Sequence, residues 1–436
     1  MANIIIVSIL LIGYTLFTVT YGQLDLYRRV CYFPSWKHAR LGPTQFSPDN
    51  ITDPTLCTHI VIAFAGVDPQ SFNIKPLQYD EDGPTGLWRN MTNIKLRSPF
   101  TKILLAVGGW DFGVLPFSKL VETDTGIDSF AINAANFLRE RNFDGLDIDW
   151  EYPGQFGSPA GDKYRFTLLL KVISQRFKQE SVDRGLPRLL LSVAVPVEKE
   201  FVDQGFEIPK ISRHVDFINL MSYDMYGPWG EVIGHHSALY GKPGDTPYMA
   251  PRNVNWVVNY WIDKGMPYDK IVVGVPFYGR TFATINQTTH EPGVSFKSGG
   301  IGGPYTQSNG LIGAFELCQV LNDPRYRIEW DYQSQVPFAY SDTDWIGYDD
   351  KQSIRTKTNY VVSRKLGGVM IWDISLDDFS GQFCNQGKYP LLTEIKKLLT
   401  LNSIARPSRP RRPVYNINPV LTYRDYYRLW LNKFIG

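Results

Sequence analysis

Short apolar runs with β-type composition recur along the chain and alternate with amphipathic stretches of helical period. The runs are Val30–Phe33, His59–Ala65, Lys102–Val107, Gly145–Trp150, Leu189–Val195, Phe217–Met221, Ile271–Pro276 and Gly367–Trp372. Between them, Ile127–Arg141, Asp162–Lys178, Asn253–Lys264 and Ser353–Lys365 repeat apolar residues at helical spacing. Strands alternating with helices imply parallel pairing through right-handed crossovers. Eight such units predict an α/β fold, a closed (β/α)8 TIM barrel. An open doubly wound sheet would call for a Gly-rich phosphate turn, and the chain has no such fingerprint. Pro276 and Gly367 lie much farther apart than one helix requires. The turn-rich, β-type stretch between them predicts a small α+β insertion domain over 281–345, between strands 7 and 8. The barrel then takes 23–280 and 346–400.

One strand carries an unusual face. In Phe143-Asp144-Gly145-Leu146-Asp147-Ile148-Asp149-Trp150-Glu151-Tyr152-Pro153, acidic and apolar residues alternate with period two. Successive strand side chains point to opposite faces. Asp147, Asp149 and Glu151 therefore share one face, and Leu146, Ile148 and Trp150 the other. A row of carboxylates is costly to bury, because like charges repel and desolvation penalises each. In a barrel the apolar face packs on the helices and the acids point inward. Glu151, last in the row, reaches the C-terminal mouth, where barrel enzymes place their chemistry. A calcium loop starting at Asp147 would need Gly at its sixth position, which is Tyr152. Asp144 has the opposite parity and suits a structural role at the strand's entrance.

The chain ends change the picture further. Met1 to about Gly22 reads as a signal peptide (1–22), with an apolar region from Ile4 to Phe17 and no Lys or Arg before it. Gly13, Tyr14 and Thr15 interrupt that region, which argues against a membrane span, and no other stretch is long and apolar enough to cross a bilayer. Four cysteines suit an oxidising compartment and allow three pairings. Sequons at Asn50, Asn90 and Asn286 fit the same secreted, extracellular route. Net charge is only +2, too small to suggest nucleic acid as a partner. From Asn402 onward there are seven Lys/Arg and one Asp, so the tail 401–436 is basic and the body mildly acidic. Arg406 to Pro413 forms a stiff linker, and Tyr423 to Ile435 is rich in aromatics and Arg. The tail has no cysteine. The six histidines show no metal-ligand spacing, and no nucleotide motif appears, so no metal or cofactor is expected.

The segment Asp144-x-x-Asp147-x-Asp149-x-Glu151 resembles the signature of glycoside hydrolase family 18, the chitinases and chitinase-like lectins. Leu105–Trp110, Asn219–Asp224, Val275–Arg280 and Gly367–Trp372 resemble that family's third, sixth, seventh and eighth strand motifs. The likeness runs from about Val30 to about Leu399, and the long stretch before strand eight resembles the subgroup whose insertion walls a deep groove. The resemblance implies disulfides Cys31–Cys57 and Cys318–Cys384. The first would tie the first barrel strand to the approach of the second. No disulfide-rich chitin-binding module can follow, for want of cysteines.

The acids lie on one strand, with alternate residues about 6.5–7 Å apart along it. This supplies an acid at the mouth but no obvious carboxylate nucleophile across the sugar. Family 18 is an exception to the two-carboxylate rule, using the substrate itself. The resemblance therefore implies that the sugar's 2-acetamido oxygen attacks the anomeric carbon. Glu151 would be general acid and then base, Asp149 would orient the acetamido group, and Asp147 would share a proton with Asp149. Tyr223 would hydrogen-bond the acetamido carbonyl, with Asp224 beside it and Met221 on the pocket floor. Trp372 would stack under the sugar at the cleavage position. Trp36, Trp110, Tyr278 and Arg280 would extend the groove, with Tyr32 and Phe64 nearer the core. Asp111 and Asp373 depart from the family's usual residues, and both are expected to affect subsite affinity or pH preference.

The resulting expectation is a secreted, monomeric, endo-acting chitinase that cleaves β-1,4 links between N-acetylglucosamine units with retention. Its partner is chitin or chito-oligosaccharides. The alternative is a non-catalytic chitin-binding lectin or growth-factor-like member of the same fold. Such members typically lose the acid Glu or an adjoining Asp, whereas this chain keeps all three. An endo-N-acetylglucosaminidase acting on glycoprotein glycans is a third option, which the insertion and the aromatic groove disfavour.

Overall fold

The computed structural model describes residues 27–40, 42–285 and 288–405. The signal-peptide segment, Asn286 and the tail from 406 lie outside the described residues. The eight apolar runs form eight parallel strands: β1 (Arg28–Pro34), β2 (His59–Val67), β3 (Lys102–Gly108), β4 (Gly145–Asp149), β5 (Leu190–Val195), β6 (Phe217–Leu220), β7 (Ile271–Pro276) and β8 (Gly368–Trp372). Each pairs with the next, and β8 pairs with β1 through Arg28↔Gly368 to Cys31↔Ile371, so the sheet closes. A short antiparallel strand, Ile74–Pro76, hangs on the far end of β2.

The alternation in β4 works as its chemistry requires. Leu146, Ile148 and Trp150 are buried. Trp150 stacks on Phe117 of the helix Leu115–Val121, with centroids 5.1 Å apart, and meets Phe166 of the helix Asp162–Arg184 edge-on at 5.6 Å. Those helices lie outside the barrel, so the acids face inward. Close approach of β3 to β4 depends on Gly108, whose φ is +116°. A Cβ there would lie 2.1 Å from the Asp149 carbonyl oxygen. The helix Asp124–Glu140 is started by Thr123, which accepts from the Gly126 N–H at 3.0 Å. It buries Ile127, Phe130, Ala131, Ala134 and Leu138 at helical spacing.

Between β7 and β8 the chain builds a second, antiparallel sheet. One residue, Phe277, separates β7 from the strand Tyr278–Thr284. The sheet runs Phe296–Gly299, Tyr278–Thr284, Asp344–Gly347, Val336–Tyr340, Arg327–Asp331, with Leu311–Gly313 also pairing on Tyr278–Thr284. It therefore starts before 281 and ends after 345. Ile312, Leu317, Ala339, Ile346 and Tyr348 form its own small core with the helix Ala314–Val320. Cys318 on that helix is bonded to Cys384 after β8, and Cys31 in β1 to Cys57 before β2. The last helix runs Pro390–Ala405, beyond residue 400. No helix among the described residues is long and apolar enough to cross a membrane.

Candidate active site

Asp147 is fully buried inside the barrel and collects donors from three other strands. Tyr32 Oη of β1 donates to Oδ2 at 2.7 Å, Ser192 Oγ of β5 to Oδ1 at 2.6 Å, and Asn219 Nδ2 of β6 to Oδ1 at 3.1 Å. Burial raises its carboxyl above the usual range, against the pull of these three hydrogen bonds. Asp149, two residues on, is 3% exposed, and its Oδ1 has no hydrogen-bond partner. Burial pushes its proton affinity well above the carboxylate range, and the charges of Glu151 and Asp147 push it further. A buried acid with no donor and two acidic neighbours holds a proton readily.

Glu151 lies just past the end of β4, at the mouth, partly open to solvent. Burial raises its pKa to about 7. The fields of Asp224, Asp111 and Glu198 add to that, while a 2.9 Å hydrogen bond from Tyr152 Oη to Oε2 opposes it. A carboxyl balanced near neutrality can give a proton and take one back.

Tyr223 and Asp224 follow β6. Tyr223 is 7% exposed, and its hydroxyl points at the Met370 sulfur at 3.8 Å. Asp224 has φ +59°, a left-handed conformation that the surroundings hold in place. Arg280 grips its carboxylate with two bonds, of 2.8 and 2.7 Å, and Tyr278 Oη donates at 2.7 Å. Although burial opposes it, Arg280 and His236 hold the Asp224 carboxyl well below the usual range. Tyr278 is 3% exposed, so it and Arg280 fix Asp224 rather than line an open surface.

Trp372, at the end of β8, closes the floor. Its ring lies 5.9 Å from Phe64, nearly parallel at 25°, 6.4 Å from Trp36 and 5.3 Å from Tyr32. Trp36, Phe64, Met221 and Trp372 are half-buried. Tyr32 is 1% exposed, with its hydroxyl committed to Asp147, so it serves the acid row and offers no face to a sugar. Trp110 stands 61% exposed, and its ring meets Phe156 edge-on at 5.3 Å.

Several site residues escaped the sequence reading. Ser192 and Asn219 donate to Asp147, Tyr152 to Glu151, and Trp229, 63% exposed, carries the Arg280 guanidinium 4.6 Å from its ring centroid. Tyr152 adjoins the acid row and could have been noticed there. The others meet the site only through folding. Asp373 is 2% exposed and caps the turn Ile374–Leu376, accepting from Ser375 N at 2.8 Å, so its carboxylate is engaged in that turn. Asp144 accepts from Ile103 N at 2.9 Å and pairs with Lys95 at 3.2 Å, at the entrance to β4. Of the sequons, Asn90 is exposed, while Asn50 is half-buried and its side-chain oxygen accepts from Ser47 N. Among the described residues no group of His, Cys, Asp and Glu is arranged to hold a metal ion.

Comparison with known proteins agrees with this geometry. Residues 28–377 match the model of the glycosyl hydrolases family 18. Chitotriosidase-1 of Mus musculus is 39% identical over 399 residues, covering 92% of this chain and 82% of that protein. The Group IV chitinase of Ostrinia furnacalis, solved in complex with allosamidin, superposes with a TM-score of 0.81 at 35% identity, over 86% of this chain and 99% of that one. Human YKL-39, described as a pseudo-chitinase with retained chitooligosaccharide binding, superposes at 0.80 with 36% identity and the same coverage. This chain belongs to the glycosyl hydrolases family 18.

Proposed function

We propose that the protein is a secreted, monomeric chitinase that cleaves β-1,4 links within N-acetylglucosamine polymers, with retention at the anomeric carbon. The observation that carries this is the intact acid row. A buried Asp147–Asp149 pair ends on Glu151, whose proton affinity sits near neutrality. The Glu151 proton passes to the glycosidic oxygen as the bond from that oxygen to the anomeric carbon breaks. The acetamido carbonyl oxygen of the same sugar closes on the anomeric carbon, giving an oxazolinium ion. Asp149 passes its proton to Asp147 and, as a carboxylate, accepts from the acetamide N–H and balances the positive charge of the ring, while the Tyr223 hydroxyl donates to the acetamide oxygen. Glu151, now a carboxylate, takes a proton from water, whose oxygen attacks the anomeric carbon and opens the ring. One water is consumed and Glu151 is reprotonated. Trp372 gives the reacting sugar a flat apolar floor. Two disulfides suit a secreted protein.

A non-catalytic chitin-binding role is the second reading, favoured by the likeness to a pseudo-chitinase. The presence of Asp147, Asp149 and Glu151 together weighs against it. Hydrolysis of a fluorogenic chito-oligosaccharide separates the two, run beside Glu151→Gln, which keeps the shape but removes the transferable proton. Wild-type turnover that the variant loses supports the hydrolase. Oligosaccharide binding without turnover by folded wild type supports the lectin.

A further inference from the structure

A second aromatic set lies against Glu151, distinct from the floor made by Trp36 in the turn after β1, Phe64 on β2 and Trp372 on β8. Trp110 follows β3, Tyr152 and Phe156 follow β4, and Phe201 lies on the helix Lys199–Gly205 after β5. Ring centroids step 5.3 Å from Trp110 to Phe156, 5.4 Å to Phe201 and 5.2 Å to Tyr152, whose hydroxyl ends on Glu151. Trp110 is 61% and Phe156 55% exposed. Phe156 holds φ +52°, a conformation bulky residues rarely adopt and one that gathers at ligand sites. The Trp110 and Phe156 rings cross at 78°, making a corner rather than a packed stack.

Each flanking loop also brings a carboxylate to this corner. Asp111 follows Trp110 after β3, and Glu198 caps the helix that carries Phe201. The charges of both reach Glu151, and that of Glu198 also reaches Tyr152. Neither forms an ion pair among the described residues. Burial raises the proton affinity of Glu198 and the field of Arg252 lowers it, while Arg252 itself places its Nε on the Met225 carbonyl at 3.2 Å and its guanidinium 3.7 Å from the Tyr248 ring centroid. An open aromatic corner flanked by two carboxylates that form no ion pair suits a sugar ring carrying a positive charge.

The side of the scissile bond follows from the acid. Glu151 must reach the departing oxygen, so the sugar that leaves lies on the β3–β5 aromatic set while the reacting sugar lies on Trp372. We propose that this corner binds a protonated glucosamine unit directly on the leaving-group side, so that the preferred substrate is partially deacetylated chitin. This rests on the hydrolase proposed above. Substrate assistance needs an acetamide only on the reacting sugar, which leaves the next unit free to carry an ammonium. Trp110 and Phe156 take the apolar ring face, and Glu198 and Asp111 take the charge.

The test is digestion of a half-acetylated, randomly distributed chitosan at mildly acidic pH, with both new chain ends sequenced by mass spectrometry. New reducing ends should be N-acetylglucosamine, which reports the hydrolase mechanism. New non-reducing ends should favour glucosamine by about threefold, the size a partly exposed ion pair supports, and the preference should shrink at high salt. Glu198→Gln and Asp111→Asn should each move that ratio toward one. The ratio is read within one digest, so a general loss of rate cancels. A wild-type ratio of one or less, or a ratio unmoved in both variants, overturns the glucosamine site while leaving the hydrolase intact. No cleavage of chitosan or of fully acetylated chitohexaose overturns both.

Discussion

Tyr152 Oη donates to Glu151 Oε2 across 2.9 Å, and it is the contact that opposes every other influence on that acid. Burial and three acidic neighbours raise the proton affinity of Glu151, while this bond stabilises its charged form. Tyr152→Phe should therefore raise it further. The alkaline limb of the kcat/KM–pH profile should move to higher pH, by less than about one unit for a hydrogen bond of about 1 kcal/mol. An alkaline limb unmoved or shifted downward would separate that limb from Glu151.

Glu151 also links fold stability to pH. Its pKa is about 7 in the folded chain against an ordinary 4.5, so the folded state binds a proton that the unfolded state has released. Stability from this group is full below about 4.5 and is lost as pH rises through about 7. Stability should fall across that window by up to about 3 kcal/mol, less because Glu151 is partly open to solvent, and the thermal midpoint should fall with it. Glu151→Gln should flatten the slope, as thermal melts at several pH values would register.

The donors around Asp147 contribute mainly to the fold. Ser192→Ala leaves a buried carboxylate oxygen short of a partner, at a cost of about 1–3 kcal/mol. A lowered midpoint in denaturant without a change in m-value would match that expectation.

How much of this was legible in the chain differs from residue to residue. The strand pattern read out all eight barrel strands, because each is a short apolar run between helical stretches. The period-two row put Asp147 and Asp149 on one face correctly, since strand geometry alone decides that. Position near a strand end places Tyr32 by the groove, and the departure from the family's usual residue ties Asp373 to subsite affinity or pH preference. Yet one is consumed by Asp147 and the other by a turn, and such hydrogen-bond commitments leave no periodic trace. Ser192 and Asn219 sit on other strands of the barrel and Glu198 in the loop after β5, so only folding brings them to the acids. The insertion begins before 281 because Tyr278–Thr284 leaves β7 after a single residue, with no turn signal to mark the change of sheet.

The Cys318–Cys384 bridge closes a separation of 66 residues. Replacing both cysteines with serine should cost about 2–4 kcal/mol, seen as a lowered thermal midpoint with Cys31–Cys57 intact.

The final helix sets where the tail can be cut. It extends to Ala405 and buries Ser403, so truncation after Leu401 removes part of its last turn. Truncation after Ala405 should leave hydrolysis of soluble oligomers within about twofold of the full chain, well under the roughly tenfold that 1.4 kcal/mol represents. A large loss would show that the tail contributes to the catalytic body.

The most direct measurement is time-resolved proton NMR of chitohexaose cleavage, recorded before the products mutarotate. If Glu151 works with the substrate's own acetamide, the β-anomer must appear first, and Glu151→Gln must lose turnover by about 10²–10⁴-fold. An α-anomer formed first, or folded protein that binds the hexamer and never cleaves it, would contradict that mechanism.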